Sequence, residues 1–373
     1  MESIAKTVFP IVVLFGAATV AFGLVMGIVA YTVLAERKVL GWIQGRIGPN
    51  RVGPWGMMQP FADLLKFILK EDIVPDKSTK FVYFLAPIVA VTCALMPMVI
   101  YPFGPPVIAD LSFLPFGLGE GIRQIPLTIA QIDVGVLFVL GITSVGVYGI
   151  ALAGWSSNNK YSLMGGLRSS AQLISYELAM GASVIGVVML AGTLDLNGII
   201  AAQINSPFRL FIIPQFIGFV VFLIAAFAET NRVPFDLPEA ETELVAGFHT
   251  EYSALKFALF FMAEYVNMFT VSVLVVTLFL GGWYIPGLGW LGLWLANNFG
   301  ISWFVVGSIG YALLSILGFL VKISFFLFFY IWIRGTLPRF RFDQLMNFGW
   351  KFLLPVALAN VIFTIIIVYF LNR

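Results

Sequence analysis

The stretch VFPIVVLFGAATVAFGLVMGIVAYTVLA, residues 8–35, is the clearest indication of the fold class, because it runs for 28 residues without a charged side chain. A helix needs about 20 mostly apolar residues to cross a bilayer. The apolar core of a cleaved signal peptide is only about 7–15 residues long, and no small-residue cleavage pattern stands where this stretch meets Glu36-Arg37-Lys38. The sequence therefore predicts a first membrane span rather than a cleaved signal peptide.

The composition of the whole chain points the same way. Of its 373 residues, 60% are hydrophobic and 11% are charged, whereas a typical soluble domain has about 25% charged residues. The net charge of +2 indicates no attraction to nucleic acid. The single cysteine, Cys93, excludes an internal disulfide and a four-cysteine iron–sulfur cluster, and the single histidine, His249, excludes a bis-histidine haem and argues against a metal site.

Eight apolar stretches predict an all-α, polytopic membrane protein that forms one membrane domain over residues 1–373. Three of the stretches contain a charge: Glu177, Glu264 and Lys322. The uncharged stretch 283–308 is broken by proline and glycine, which favours an outer loop or a partly inserted segment over a ninth span. The eight predicted spans are 8–35, 81–101, 134–155, 171–193, 210–228, 257–281, 309–333 and 352–371.

The distribution of lysine and arginine predicts the orientation of these spans. With eight spans, one set of connecting loops holds 16 of the 21 basic residues, and the other side holds four. Because basic loops stay in the cytoplasm, both chain termini are expected on the outer face. The 16 are Arg37, Lys38, Arg46, Arg51, Lys66, Lys70, Lys77, Lys80, Lys160, Arg168, Arg232, Lys256, Arg334, Arg339, Arg341 and Lys351; the four are Lys6, Arg123, Arg209 and Arg373.

Two of the predicted cytoplasmic loops carry a recognisable pattern. Loop 36–80 contains an amphipathic helix, Trp55 to Lys70, of the kind that lies in the membrane interface. Loop 229–256 is acidic, with two basic residues, Arg232 and Lys256. Its acids are Glu229, Asp236, Glu239, Glu241, Glu243 and Glu251, and the apolar positions of the amphipathic helix are Met57, Met58, Phe61, Leu64, Leu65 and Ile68.

Ionisable side chains at membrane depth are the strongest indication of chemistry. An isolated charge at the bilayer centre costs roughly 2.5–3.5 kcal/mol on insertion scales, and such residues often mark a proton path. For Glu177 and Glu264 the alternative is a neutral carboxyl hydrogen-bonded between helices. For the acidic loop, where Glu239 and Glu243 fall on one helical face, the alternative is a solvated loop. The cluster Glu36-Arg37-Lys38 reads as an interfacial group.

Several motifs resemble the H-subunit family of complex I, whose mitochondrial counterpart is subunit 1. The two long ones are AERK (35–38) followed by RIGPNRVGP (46–54), QPFAD (59–63) and KEDI (70–73), and AETNRVPFDLPEAETELVAG (228–247) followed by TEY (250–252). Shorter matches are NKYS (159–162), GLRSSAQ (166–172), ISYE (174–177) and RFDQLM (341–346). The resemblance extends over essentially the whole chain, except the outer segments 103–125 and 283–305.

The resemblance implies a membrane component of a proton-translocating NADH:quinone oxidoreductase in the bacterial cytoplasmic (inner) membrane. Arg37 and Asp63 would line the quinone mouth. This chain would bind no cofactor alone: quinone is the substrate, and NADH, FMN and the iron–sulfur clusters belong to partner subunits. Those partners are a peripheral-arm pair at the quinone site and small membrane subunits. The acidic proton path would consist of Glu177, Glu229, Glu239, Glu241, Glu243 and Glu264.

Two other functions remain open at this point. A related membrane subunit of a ferredoxin-driven or hydrogenase-type complex would share much of this architecture and lack the quinone. A stand-alone ion transporter would use Glu177 and Glu264 in its own ion path. Purification separates the classes, because a transporter is active alone whereas a complex subunit comes with many partners.

Overall fold

The computed structural model describes residues 2–110, 122–207, 210–236, 245–299 and 302–371. Short 3-10 turns and one π turn, Gly349–Leu353, connect the longer elements. The helices are α1 (Glu2–Ile43), α2 (Gln59–Leu69), α3 (Lys80–Leu95), α4 (Gly135–Ser156), α5 (Lys160–Ala191), α6 (Leu196–Asn205), α7 (Phe216–Glu229), α8 (Ala254–Phe279), α9 (Leu288–Phe299), α10 (Ile309–Thr336), α11 (Phe342–Phe348) and α12 (Leu354–Leu371).

Within the described ranges, seven helical stretches are long and apolar enough to cross a membrane. The prediction of an all-α, polytopic membrane protein is therefore confirmed. The fifth predicted span, 210–228, contains only the 14-residue helix α7, which is about 21 Å long against a hydrocarbon core of about 30 Å. The total of eight spans stays a prediction. The seven are Leu14–Ile43, Lys80–Ile100, Gly135–Ser156, Lys160–Ala191, Ala254–Phe279, Ile309–Thr336 and Phe342–Phe370.

Helix α7 begins late because the residues before it bond to other parts of the chain. The Gln203 side-chain oxygen accepts hydrogen bonds from the backbone N–H of Phe211 (3.3 Å) and of Gly281 (2.9 Å). Irregular backbone is tolerated at membrane depth only where protein groups satisfy it in this way. Hydropathy marks the whole stretch as apolar and does not detect these bonds.

Helix α5 begins at Lys160, eleven residues before the predicted span 171–193. The Asn159 side chain caps it by accepting a hydrogen bond from the Tyr161 N–H. Gly165 then meets a neighbouring backbone, since a Cβ there would lie 2.6 Å from the Cα of Gly247. One face of the first turns of α5 therefore packs against the protein through small residues, Ser162, Gly165, Gly166 and Ser169, and the predicted loop 156–170 is mostly helix.

A small antiparallel hairpin was not anticipated. Strand β1 (Gly104–Asp110) pairs with β2 (Ile122–Leu127), largely within one of the two outer segments to which the family resemblance does not extend. The other such segment contains α9. The Ile108 N–H donates to the Gly307 carbonyl at 3.0 Å, so the hairpin and the segment after α9 lie together at one end of the bundle, the hairpin end.

Four connecting segments meet at the opposite end, which we term the basic end: 44–79, 157–159, the described parts of 230–253, and 337–341. The Thr79 N–H donates to the Ser156 carbonyl at 3.1 Å, and the Phe340 N–H donates to the Pro234 carbonyl at 3.1 Å. Lys256, at the start of α8, forms an ion pair with Asp72 at 2.8 Å. The loops that the basic-residue distribution assigned to one side are thus in mutual contact.

Lys322 in α10 fixes the chain beyond α8 at the hairpin end. Its ammonium group donates to three backbone carbonyls, those of Leu280 (2.9 Å), Gly282 (2.9 Å) and Tyr284 (2.7 Å). These carbonyls follow the last turn of α8, where helical partners run out. A cation at a helix C-terminus also opposes the negative end of the helix dipole.

We expect Lys322→Met to destabilise the protein by about 2–3 kcal/mol, because it leaves three carbonyls without their donor. The measurement is the thermal unfolding midpoint of the detergent-purified complex, with Lys351→Met as the control because Lys351 is exposed. Equal midpoints for the two variants would show that the Lys322 bonds contribute nothing.

The orientation is tested by cysteine labelling from outside intact cells. Exposed Asn347 lies at the basic end and exposed Asn297 at the hairpin end. We expect a membrane-impermeant maleimide to label Asn297→Cys and not Asn347→Cys, because basic loops stay inside. The native Cys93 is buried, so the labelling of the unmodified protein measures the background. If only the Asn347→Cys variant were labelled, the orientation of the protein would be the opposite of the predicted one.

Candidate functional site

A small cavity at the centre of the bundle brings three carboxyl groups together. Glu177 comes from α5, Glu229 ends α7 and Glu264 comes from α8, and all three line one cavity of about 50 Å³, which we term the carboxyl cavity. A water molecule needs roughly 10–15 Å³ of such space, so the cavity has room for a few. The remaining lining is Ala90, Cys93, Ala94, Thr143, Gly146, Val147, Ile150, Leu173, Thr230, Asn231, Phe248, Phe260, Ala263 and Asn267.

Two hydroxyl side chains of α4, those of Thr143 and Ser144, lie beside these carboxyl groups. The Ser144 hydroxyl donates to Glu177 Oε1. The Thr143 hydroxyl donates to the Leu140 carbonyl at 3.0 Å and lies close to Glu229 in the cavity wall. Glu177 and Glu229 are also close enough to interact electrostatically. Buried carboxyls that interact this closely take up and release protons as a set rather than singly.

Glu264 faces a second titratable group. The His249 Nε2 lies 3.6 Å from Glu264 Oε1, and the imidazole is almost completely buried. Arg232 and Asp236 also act on Glu264 electrostatically, and Asp236 itself pairs with Arg339 at 3.0 Å. The carboxyl cavity is therefore bordered by charged groups on its Glu264 side.

A buried charge cluster lies next to the carboxyl cavity and consists of Glu36, Arg232, Tyr265 and Arg334. Glu36, near the end of α1, is 5% exposed. Its carboxylate accepts a hydrogen bond from the Tyr265 hydroxyl at 2.7 Å and pairs with Arg334 and with Arg232, the latter at 3.5 Å. Because Tyr265 follows Glu264 directly in α8, the cluster and the cavity share one turn of one helix.

The interpretation of Glu36-Arg37-Lys38 as an interfacial group is wrong for Glu36. Its two arginine partners are 196 and 298 residues away, so no local pattern could reveal them. The one available signal was an acid at the end of an apolar span, directly before two basic residues. His249 was missed for the same reason, because its partner Glu264 lies on another element.

Arg37 and Asp63, predicted at the quinone mouth, form an ion pair of 2.6 Å at the basic end. Gln59 supports it by donating to Asp63 Oδ1 at 3.0 Å. The pair is partly exposed and joins α1 to α2. No side chain of α2 is fully buried, and its large apolar residues are uncovered in this chain: Phe61, Leu64, Leu65, Ile68 and Leu69. The predicted amphipathic helix is thus observed over Gln59–Leu69.

The other predicted acidic residues divide into two groups. Glu239, Glu241 and Glu243 lie outside the described residues. Glu251, also from the acidic loop, accepts a hydrogen bond from Asn159 at 2.7 Å at the rim of the basic end. In the ranges that the structure covers, no group of three or more His, Cys, Asp or Glu side chains could hold a metal ion.

Comparison with known proteins gives a consistent result. The family model described as NADH dehydrogenase matches residues 16–365. The second H-type NADH-quinone oxidoreductase subunit of Koribacter versatilis is 50% identical over 370 residues, which is 99% of each chain. NADH-quinone oxidoreductase subunit 8 of Rhodothermus marinus is 50% identical over 334 residues, 88% of this chain and 89% of the relative.

The first H-type NADH-quinone oxidoreductase subunit of Solibacter usitatus is 47% identical over 385 aligned positions, 93% of this chain and 94% of the relative. The matches therefore extend over nearly the full length of both partners. The chain belongs to the H-subunit family of NADH-quinone oxidoreductase, the membrane subunit of complex I that corresponds to mitochondrial subunit 1.

Proposed function

We propose that this chain forms the quinone mouth of a proton-translocating NADH:quinone oxidoreductase and begins the proton path that couples quinone reduction to pumping. The observation that carries the proposal is the carboxyl cavity, to which α5, α7 and α8 each contribute one glutamate. A carboxyl inside a membrane protein is costly unless it has a function or a partner. Three in one water-sized cavity suit the transfer of protons.

The proposed mouth combines an apolar approach with polar groups. A groove of about 490 Å³ runs between α1 and α10, and its lining includes Ala35 and Val39, which precede and follow Glu36 on α1. Its mostly apolar lining suits the isoprenoid tail of a quinone, and the Arg37–Asp63 pair lies close to its end in sequence. The groove is lined by Gly23, Leu24, Gly27, Ile28, Tyr31, Thr32, Ala35, Val39, Ser324, Leu327, Phe328 and Ile331.

The proposed path starts at the buried charge cluster. Arg232 interacts with both Glu36 and Glu264, so a change of charge at the mouth alters the field at the carboxyl cavity. Reduction of a quinone to a quinol consumes two electrons and two protons, which supplies such a change. From Glu264 the path continues to Glu229 and Glu177. By resemblance, Glu239, Glu241 and Glu243 extend it.

The redox cofactors are assigned to partner subunits. With one cysteine and one histidine, this chain lacks the ligands for a four-cysteine iron–sulfur cluster or a bis-histidine haem. NADH, FMN and the clusters are therefore proposed on a peripheral arm that docks at the basic end, and small membrane subunits pack beside the bundle. We propose the bacterial inner membrane as the location, with both termini outside.

Two other functions are less well supported. A ferredoxin-driven or hydrogenase-type subunit would conflict with the relatives, which are named for a quinone reaction. A stand-alone ion transporter would need neither the uncovered apolar side of α2 nor the basic end. Copurification of this chain with clusters, FMN and many subunits separates a complex subunit from a transporter.

The mouth is tested with Asp63→Ala and Arg37→Ala. We expect each to lower quinone reduction by roughly tenfold or more through misplacement of the substrate, with electron delivery to an artificial acceptor unchanged. The control is Lys66→Ala, on the same helix as Asp63. Equal loss of both activities in an assembled complex would contradict the assignment.

The path is tested with Glu177→Gln, Glu229→Gln and Glu264→Gln, singly and combined. Glutamine keeps the shape and the hydrogen bonding but cannot exchange a proton, so the complex should assemble while quinone-linked pumping falls, by about 100-fold for the Glu177–Glu264 double variant. Aspartate variants are the matched controls and should retain more activity. The measurement is the number of protons moved per electron pair in reconstituted vesicles. Normal pumping by the Glu177–Glu264 double glutamine variant would contradict the proposal.

A further inference from the structure

A second type of titratable side chain, an imidazole, lies beside the carboxyl cavity. His249, the only histidine, lies in the 3-10 turn Gly247–His249 and is 3% exposed. Its Nε2 faces Glu264 Oε1 at 3.6 Å. A buried imidazole beside a buried carboxyl is an unusual choice for packing alone, because both groups lose their hydration.

The position of the imidazole is fixed from several sides. It packs against the rings of Phe248, Phe257 and Phe260, with centroid distances of 3.9, 5.3 and 5.6 Å. The backbone of its turn is held by the close approach of Gly165 to Gly247. These aromatic contacts keep the ring oriented so that its Nε2 points to the Glu264 carboxyl.

The charged groups around His249 and Glu264 come from the segment that follows α7 and from the wall of the carboxyl cavity. Arg232 and Asp236, which follow α7, act on Glu264, and Glu177 and Glu229 share the carboxyl cavity with it. Helix α4 contains no charged residue, and α5 approaches the turn through Gly165 and Ser162, whose hydroxyl donates to the Phe248 carbonyl at 3.4 Å. Arg232 pairs with Glu36 and keeps its charge. Among the neighbours of Glu264, His249 is the one whose imidazole gains or loses a proton most readily near neutral pH.

A nearby tyrosine does not share this role. Burial raises the pKa of Tyr252 to about 12, with a smaller opposing effect of its hydrogen bond to Ser156. Tyr252 therefore stays neutral at every physiological pH and acts as a hydrogen-bond donor to the Tyr83 carbonyl at 3.2 Å. Histidine, in contrast, changes charge between about pH 5 and pH 8 in water.

Resting on the proposed function, we infer that His249 is a proton relay that loads Glu264. The proton leaves Nε2 of the imidazolium and binds Oε1 of the carboxylate, which leaves a neutral imidazole and a neutral carboxylic acid. The pair has no net charge before or after this transfer. A buried site favours such an exchange, because a lone carboxylate would leave an uncompensated charge.

The test uses His249→Phe and His249→Gln in the assembled complex. Phenylalanine fills the space between the neighbouring aromatic rings, and glutamine keeps a hydrogen-bonding group toward Glu264. Neither side chain can take up and release a proton at physiological pH. We expect both to assemble, to deliver electrons normally to an artificial acceptor, and to lower quinone-linked pumping by roughly tenfold. The deficit should grow as the pH rises, because Glu264 must then be loaded directly from scarcer protons.

A double-mutant comparison assigns the effect. In a Glu264→Gln background, His249→Gln should cause no further loss if the two residues act as one unit. Four outcomes would each overturn the relay. They are a wild-type rate and pH profile in the His249→Gln variant, a loss that does not depend on pH, losses that add in the double variant, and failure of both His249 variants to assemble. If Glu264→Gln itself pumps normally, the proposed path fails; if only the His249 variants are normal, the relay alone fails.

Discussion

A hydrocarbon environment offers no hydrogen-bond partner to a peptide group or a charged side chain, and this constraint governs the chain at every level. Polar groups that leave water must be satisfied by the protein itself. Lys322 meets the requirement by donating to three carbonyls beyond the end of α8, and Glu36 meets it with two arginines and a tyrosine. Both charged groups therefore have hydrogen-bond partners in the protein, and these bonds link segments that are distant in sequence.

The same constraint explains a neutral polar clasp near the start of α7. The Gln215 amide donates to the Thr364 hydroxyl at 2.7 Å, and the Asn360 amide donates to Gln215 Oε1 at 2.8 Å. Gly186 and Gly218 leave the space that the Gln215 side chain occupies. This clasp ties α7 to α12, so a helix too short to span a bilayer by its length is held in place by its neighbours.

Helix α8 connects the carboxyl cavity to the buried charge cluster, and most of the helix is buried in the protein. Glu264 turns to the carboxyl cavity while the next residue, Tyr265, turns to the buried charge cluster. Successive residues of a helix point about 100° apart, so one turn of α8 can face both regions. Arg232 stacks on the Tyr265 ring at 4.2 Å, which holds the cluster against the same turn. The buried charge cluster thus contains Glu36, which precedes Arg37 in α1, and Tyr265, which follows Glu264 in α8.

Local sequence was enough to predict the membrane class, most spans, the amphipathic helix α2 and the presence of glutamates at depth, because hydropathy and periodicity report the local surroundings of each residue. It also contained the motifs of the family. The tertiary structure was needed to show that Glu177, Glu229 and Glu264 share one cavity, that Glu36 is buried, and that His249 faces Glu264. Those facts depend on which helices become neighbours, and residues up to 298 positions apart in the chain meet here. The early start of α5 and the late start of α7 also depend on tertiary contacts: α5 packs against Gly247 through Gly165, and Gln203 satisfies the irregular backbone before α7.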